Sequence, residues 1–297
     1  MNRTSFQSIK PQLREVWRLS LPAILTQITT IAMQYIDSAM VGRLGANASA
    51  AIGLVASSTW LMNGVCYALA AGFSVQVAHR IGAGNEKEAR NVVRHGLLSA
   101  VLVAGLLCLI GVAIHMHLPV WLKGDAEITY DAGRYFLTFA WMLPFTQLSS
   151  LTSSFLQCAG DMLTPSILNA VMCVLDVIFN FFLINPTRQM TVLGRTMTVW
   201  GLGWGVPGAA LGTAFATAIS GTLTLALLLL RDGPLCIRKP GSWQITRACL
   251  QNLWKVGTPL AAERAALSSA QVLLIRIVSG LGTTAIAANS LGVSAES

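Results

Sequence analysis

Charge is scarce in this chain. Only 11% of its 297 residues are Asp, Glu, Lys or Arg, while 54% are hydrophobic. A soluble domain carries about a quarter charged residues, so a water-exposed globular fold is excluded. The six cysteines show no C-x-x-C pair or other metal spacing, and no disulfide framework follows from them. No P-loop is present. The Gly82-Ala83-Gly84 turn follows no strand and lacks a third glycine, which argues against dinucleotide binding. No constellation for another reaction class emerges, and the chain is not read as an enzyme.

What is present is apolar length. Six stretches, at about 19–41, 51–78, 96–118, 135–158, 164–184 and 206–230, are each long enough to cross a bilayer. About 20 residues at 1.5 Å rise cover the hydrocarbon, and no soluble core repeats helices of this kind. A seventh stretch, 253–278, carries internal charges, and an eighth starts near Thr284. The first apolar run passes through Asp37 to Gly42-Arg43, too long for a cleaved signal peptide, so a retained first span is expected.

The formal charge of +8 encodes orientation rather than nucleic-acid binding. Thirteen of the 20 Lys and Arg fall in the N-terminal tail and the even-numbered loops, and five on the opposite side. The excess belongs on the cytoplasmic side, so the N-terminus is expected there, in the plasma (inner) membrane.

The chain also repeats itself. At an offset of 237, residues 19–57 pair without gaps with 256–294, matching Pro22 with Pro259, Gln34 with Gln271, and Leu44-Gly45 with Leu281-Gly282. Matched alanines carry little information in apolar helices. The proline and the Leu-Gly pair carry more, because each has a backbone reason to recur. Six spans separate the copies, so both cross in the same direction, a parallel repeat. The expected organisation is a cytoplasmic tail (1–18), a six-helix N-lobe (19–230), a cytoplasmic linker (231–252), and the first helix and part of the second helix of a C-lobe (253–297). The second copy is expected either to continue past Ser297 or to stop there as a fragment that does not transport.

Uncharged polar residues fall in stripes. Gln27, Thr30, Gln34 and Asp37 share a face of the first span, and Gln147, Ser150, Ser154 and Gln157 a face of the fourth. Asn169, Cys173, Asp176 and Asn180 do so on the fifth, and Thr213, Thr217, Ser220 and Thr224 on the sixth. Such faces avoid lipid, and they serve either as hydrogen-bonded glue between helices, with small-residue steps such as Gly208–Gly212, or as cavity walls. The carboxylates carry more weight. An Asp at a helix centre costs about 2.5–3.5 kcal/mol on insertion scales, so Asp37 and Asp176 are candidates for binding a proton or a Na⁺ ion. Tyr35 is among the aromatic residues that could face a flat, apolar cation.

Together these residues resemble the multidrug and toxic compound extrusion (MATE) family. The resemblance rests on Tyr35-Ile-Asp-Ser-Ala-Met-Val-Gly-Arg-Leu-Gly45, Arg80-Ile-Gly-Ala-Gly-Asn85, Gly205-Val-Pro-Gly-Ala-Ala-Leu-Gly-Thr213 and Leu281-Gly-Thr-Thr-Ala-Ile-Ala-Ala-Asn289. It implies an all-α integral membrane fold, with a MATE-like six-helix lobe followed by the start of a second, parallel-repeat lobe around a central cleft. It implies exchange of H⁺ or Na⁺ for organic cations or other amphipathic toxins, with no cofactor. The family's ion site maps onto Asp37 with Asp176, Asn180 and Asn169, where Na⁺ would bind at Asp37, Asp176 and Asn180. The family's commoner order places Asn before Asp in the fifth span; here Asp176 precedes Asn180. Glu263 resembles an acidic position early in the seventh span, and with Gln34, Tyr35, Gln147 and Gln157 it completes the cleft candidates. The expected partners are membrane lipid and small molecules, not nucleic acid, with the protein acting as a monomer. A flippase for lipid-linked saccharides, from the same superfamily, is the alternative.

Overall fold

The computed structural model describes residues 3–192, 195–231, 233, 235–238, 243 and 247–296. Its helices are α1 (Arg3–Gly42), α2 (Ala46–Gly82), α3 (Glu86–Ile114), the single turn α4 (His117–Trp121), α5 (Ala126–Cys158), α6 (Leu163–Ile184), α7 (Gly205–Leu230), α8 (Arg247–Ser279) and α9 (Thr283–Glu296). The fourth to eighth spans are therefore α5 to α9. Residues 3–18, set apart as a tail in the sequence, continue α1. A helix that leaves the bilayer keeps its own i→i−4 bonds, and Gln, Leu, Arg and Glu propagate it readily.

Among the described residues, five helices are long and apolar enough to cross a membrane: 16–42 of α1, and α2, α3, α6 and α7. The fourth of the six expected spans is not among them. The 33-residue α5 has the length, but Gln147, Gln157 and its serines and threonines dilute its apolar character. It tolerates them by lying inside the bundle. Phe136, Ala140, Leu143, Leu151 and Phe155 recur at helical spacing, and all are buried. α5 packs against α2, α3 and α7, while α6 lies between α1 and α7. Small residues permit the closest approaches: a Cβ on Gly111 would lie 2.6 Å from that of Ala140.

The segment between the fifth and sixth spans is an antiparallel hairpin. β1 (Pro186–Val192) pairs with β2 (Arg195–Leu202), in a register that sets Gln189 opposite Thr198. Thr, Val, Met and Trp in this stretch suit extended backbone. The hairpin base is tied into the lobe, with Gly203 N donating to Asn185 O and Trp204 N to Leu183 O.

The repeat is visible in the backbone. Gly45 and Gly282 hold left-handed φ of 108° and 98°. In both turns the Leu before the glycine donates to a valine carbonyl at 2.9 Å (Leu44 to Val41, Leu281 to Val278). Only glycine adopts such φ without strain, which is why the Leu-Gly pair recurs. The second copy's α8 and α9 both pack on α2.

Of the linker expected at 231–252, residues 232, 234, 239–242 and 244–246, including Lys239, lie outside the described residues, and 247 onward already belongs to α8. Leu235 and Ile237 join a core cluster with Val93 and Leu97 of α3. Arg94, counted as a loop cation from the sequence, is 1% exposed and donates from Nη2 to Ile237 O at 2.9 Å.

The turn before α6 carries its own polar lock. Asp161 accepts from Thr164 N at 3.0 Å and Thr164 Oγ1 at 2.6 Å, and pairs with Arg231 at the end of α7. Partial burial works against its charged form, but the Thr164 bonds and the Arg231 guanidinium outweigh it and hold the carboxyl below its ordinary range. A depressed pKa stabilises the fold above the unfolded-state value and loses that effect as pH falls through the folded one. Asp161→Ala should therefore cost about 1 kcal/mol near neutral pH, as for a lost helix cap. Melting curves in detergent should show this gap between variant and wild type closing as the pH falls below the ordinary carboxylate range.

Candidate functional site: a bridged pair of carboxyl groups beside a cavity

α6 is held along α1 by side chains on one of its faces. Ser166 Oγ donates to Pro22 O at 2.8 Å, Asn169 Nδ2 to Thr30 Oγ1 at 3.1 Å, and Cys173 Sγ to Thr29 O at 3.5 Å. Three turns after Asn169 the same face reaches Asp37 through Asn180. Asn180 Nδ2 donates both to Asp37 Oδ1 at 2.9 Å and to Asp176 Oδ2 at 3.1 Å. One amide thus bridges two carboxyl groups from different helices. Asp176 is 0% exposed and Asn180 1%. Asp176 Oδ1 and Asn180 Oδ1 are buried without a hydrogen-bond partner among the described residues.

α7 closes the site from behind. A Cβ at Gly208 would lie 2.6 Å from the Leu183 carbonyl oxygen, and one at Gly212 would overlap Asn180 Oδ1. The Gly208–Gly212 step is therefore a packing surface that lets α7 press the bridging amide onto the acids. The other polar positions of α7 serve mostly as glue: Ser220 Oγ donates to Leu168 O at 3.3 Å, and Thr217 Oγ1 approaches Met172 Sδ at 3.8 Å.

On its other side Asp37 reaches a cavity of about 350 Å³. Gln34, Ser38, Trp60, Tyr135, Thr213 and Gln271 are also part of its lining. Among the described residues that line it, Asp37 is the one charged side chain.

Several sequence candidates fall elsewhere. Asn169 belongs to the threonine seam of α1 rather than to the bridged pair. Of the cleft candidates, Gln34 alone lines the cavity. Tyr35 is 50% exposed, because one residue along a helix turns it away from Gln34. Gln157 is exposed near the end of α5, and Glu263 is exposed on α8. Gln147 is 0% exposed inside the bundle, with neither amide atom hydrogen-bonded among the described residues. Tyr135 was missed. It lines the cavity together with Asp37, but its sequence signal was an unremarked tyrosine at the start of an apolar run.

The MatE family model matches residues 22–182, more than half of the chain. The chain belongs to the MatE family. That match takes in both acids and the bridging amide. Among curated relatives, the "Probable multidrug resistance protein NorM" of Thermotoga maritima is 23% identical over 291 residues, covering 97% of this chain and 59% of its own length. The protein of the same name from Pseudomonas syringae pv. tomato is 26% identical over 295 residues, covering 95% and 60%. The chain thus spans about 60% of the length of these relatives. An inward-facing multidrug resistance MATE family transporter of the MOP superfamily shares the fold, with a TM-score of 0.75 and 20% identity over 93% of this chain and 60% of that one. A MOP superfamily transporter from Pyrococcus furiosus, described by the reverse polarity of its binding pocket, gives a TM-score of 0.74 at 20% identity, covering 86% and 53%. The MatE membership and the apolar helices make this a membrane protein of a transporter family.

Proposed function

We propose that this protein works as a secondary antiporter, exporting amphipathic or cationic small molecules in exchange for H⁺ or Na⁺. The observation that carries the reading is the Asn180 bridge between Asp37 and Asp176, with Asp37 also on the cavity wall. Two carboxylates bonded to one amide, one of them fully buried, repel each other unless a positive charge joins them. A proton or a Na⁺ ion supplies that charge, and the unpartnered Asp176 Oδ1 and Asn180 Oδ1 are oxygen ligands of the right kind. A cationic ligand entering the cavity would compete for Asp37, so that loading the drug and releasing the ion become linked events. The lysine and arginine distribution supports a cytoplasmic N-terminus in the inner membrane.

A flippase for a pyrophosphate-linked lipid would want cationic side chains in the cavity, whereas the lining offers one carboxyl group and neutral residues. Asp37→Asn tests the antiport reading, since its amide oxygen still accepts from Asn180 while the charge is gone. Ethidium efflux from cells producing the protein should fall at least about tenfold, the scale of 1.4 kcal/mol in coupling. Efflux at the wild-type rate would remove Asp37 from the mechanism.

A further inference from the structure

The cavity lies on the axis that relates the two copies of the repeat. A residue meets its own counterpart only where a two-fold axis passes. Gly53 and Ser290, 237 positions apart, are such a pair: a Cβ at Gly53 would lie 2.8 Å from that of Ser290. The lining obeys the same relation. Every cavity residue from the second copy has its counterpart in the lining as well, including Gln34 with Gln271, Asp37 with Leu274, Ser38 with Ile275 and Ile52 with Asn289.

The chemistry of these pairs is unequal. Asp37 and Ser38 face the cavity from the first copy, where the second presents Leu274 and Ile275. At this pair of positions a cationic centre has Asp37 to face, and the apolar part of the ligand has Leu274 and Ile275. The glutamines break this pattern, because both copies place the same amide at the same depth. Neither Gln34 nor Gln271 has a hydrogen-bond partner among the described residues. Each thus keeps an acceptor and two donors for a guest.

We propose that Gln34 and Gln271 form a two-point amide grip, which selects organic cations that carry hydrogen-bonding groups over cations that carry none. The proposal rests on the exporter reading for the presence of a cationic guest. It adds the specificity element and assigns charge and hydrogen bonding to different residues.

The test uses the protein in lipid nanodiscs and two cationic probes. Ethidium carries two amino groups, while tetraphenylphosphonium has no hydrogen-bonding group at all. Gln34→Met and Gln271→Met keep side-chain volume and remove the amide. Each should raise the Kd for ethidium about fivefold, the scale of one neutral hydrogen bond, and the double variant should raise it further. The Kd for tetraphenylphosphonium should stay unchanged in all three, which also reports an intact cavity. Asp37→Asn should weaken both probes together. An unchanged ethidium Kd in the glutamine variants, or equal losses for both probes, would overturn the grip while leaving the exporter reading in place. Wild-type protein that binds neither probe would overturn the exporter reading, and the grip with it.

Discussion

Asn180→Leu should be among the most damaging single substitutions in the protein. Its Nδ2 is the shared donor to Asp37 Oδ1 and Asp176 Oδ2, at 2.9 and 3.1 Å. Leucine has similar bulk and no donor, so both carboxyl oxygens lose a bond at once. Hydrogen bonds to charged groups contribute about 1.5–3 kcal/mol each, and a buried group left unpaired costs the greater part of that. A loss of about 3 kcal/mol is expected, read as a lower melting temperature in detergent and no measurable efflux. The accompanying control is the double variant Asn180→Leu with Asp37→Asn. With one negative charge removed, part of the stability should return, as coupled neighbours in a double-mutant cycle require. Equal, additive losses would mean that the bridge does not hold the acids together.

Gly212→Ala should be nearly as severe, although it adds only a methyl group and touches neither acid. That methyl would overlap Asn180 Oδ1, and it would also lie 3.0 Å from the Asn180 backbone nitrogen. α7 cannot yield easily, because one turn earlier Gly208 is already against the Leu183 carbonyl. The amide must therefore swing off the carboxyl groups or α7 must tilt away from α6. Overpacking of this kind costs about 1–3 kcal/mol. Efflux should fall at least tenfold while the protein still reaches the membrane. The informative contrast is Gly105→Ala on α3, where a Cβ meets nothing within 4 Å. That variant should transport like wild type. If Gly212→Ala does the same, the close seat of α7 on Asn180 has no part in the mechanism.

How much of this was legible differs from residue to residue. Asp37 and Asp176 stood out because lipid penalises charge, so an acid inside an apolar run draws attention whatever surrounds it. The repeat stood out at Leu44-Gly45 and Leu281-Gly282, because a left-handed turn is a local backbone demand met almost solely by glycine. Gly208–Gly212 was readable as a packing step, though not as the surface that seats Asn180. The hairpin at 186–202 was not legible as strands, since Asn185-Pro186 and the glycines at 201, 203 and 205 mark turns without saying what lies between them.

The site's membership was the harder part. Gln34 and Tyr35 are adjacent, yet one lines the cavity and the other faces away; Asn169 and Asn180 share a helix face, yet only Asn180 reaches the acids. Periodicity orders residues around a helix axis without saying which neighbour each face meets. The sequence by itself determined that the chain is built of membrane helices, where its acids lie within them, and that its pattern restarts after 237 residues. All three follow from local costs: apolar length, buried charge and backbone conformation. Only the tertiary structure decided that Asn180 joins Asp37 to Asp176, that Tyr135 stands beside them, and that equivalent positions of the two copies face each other across one cavity. Those facts depend on how helices distant in the chain rotate against one another, and side-chain packing sets that rotation.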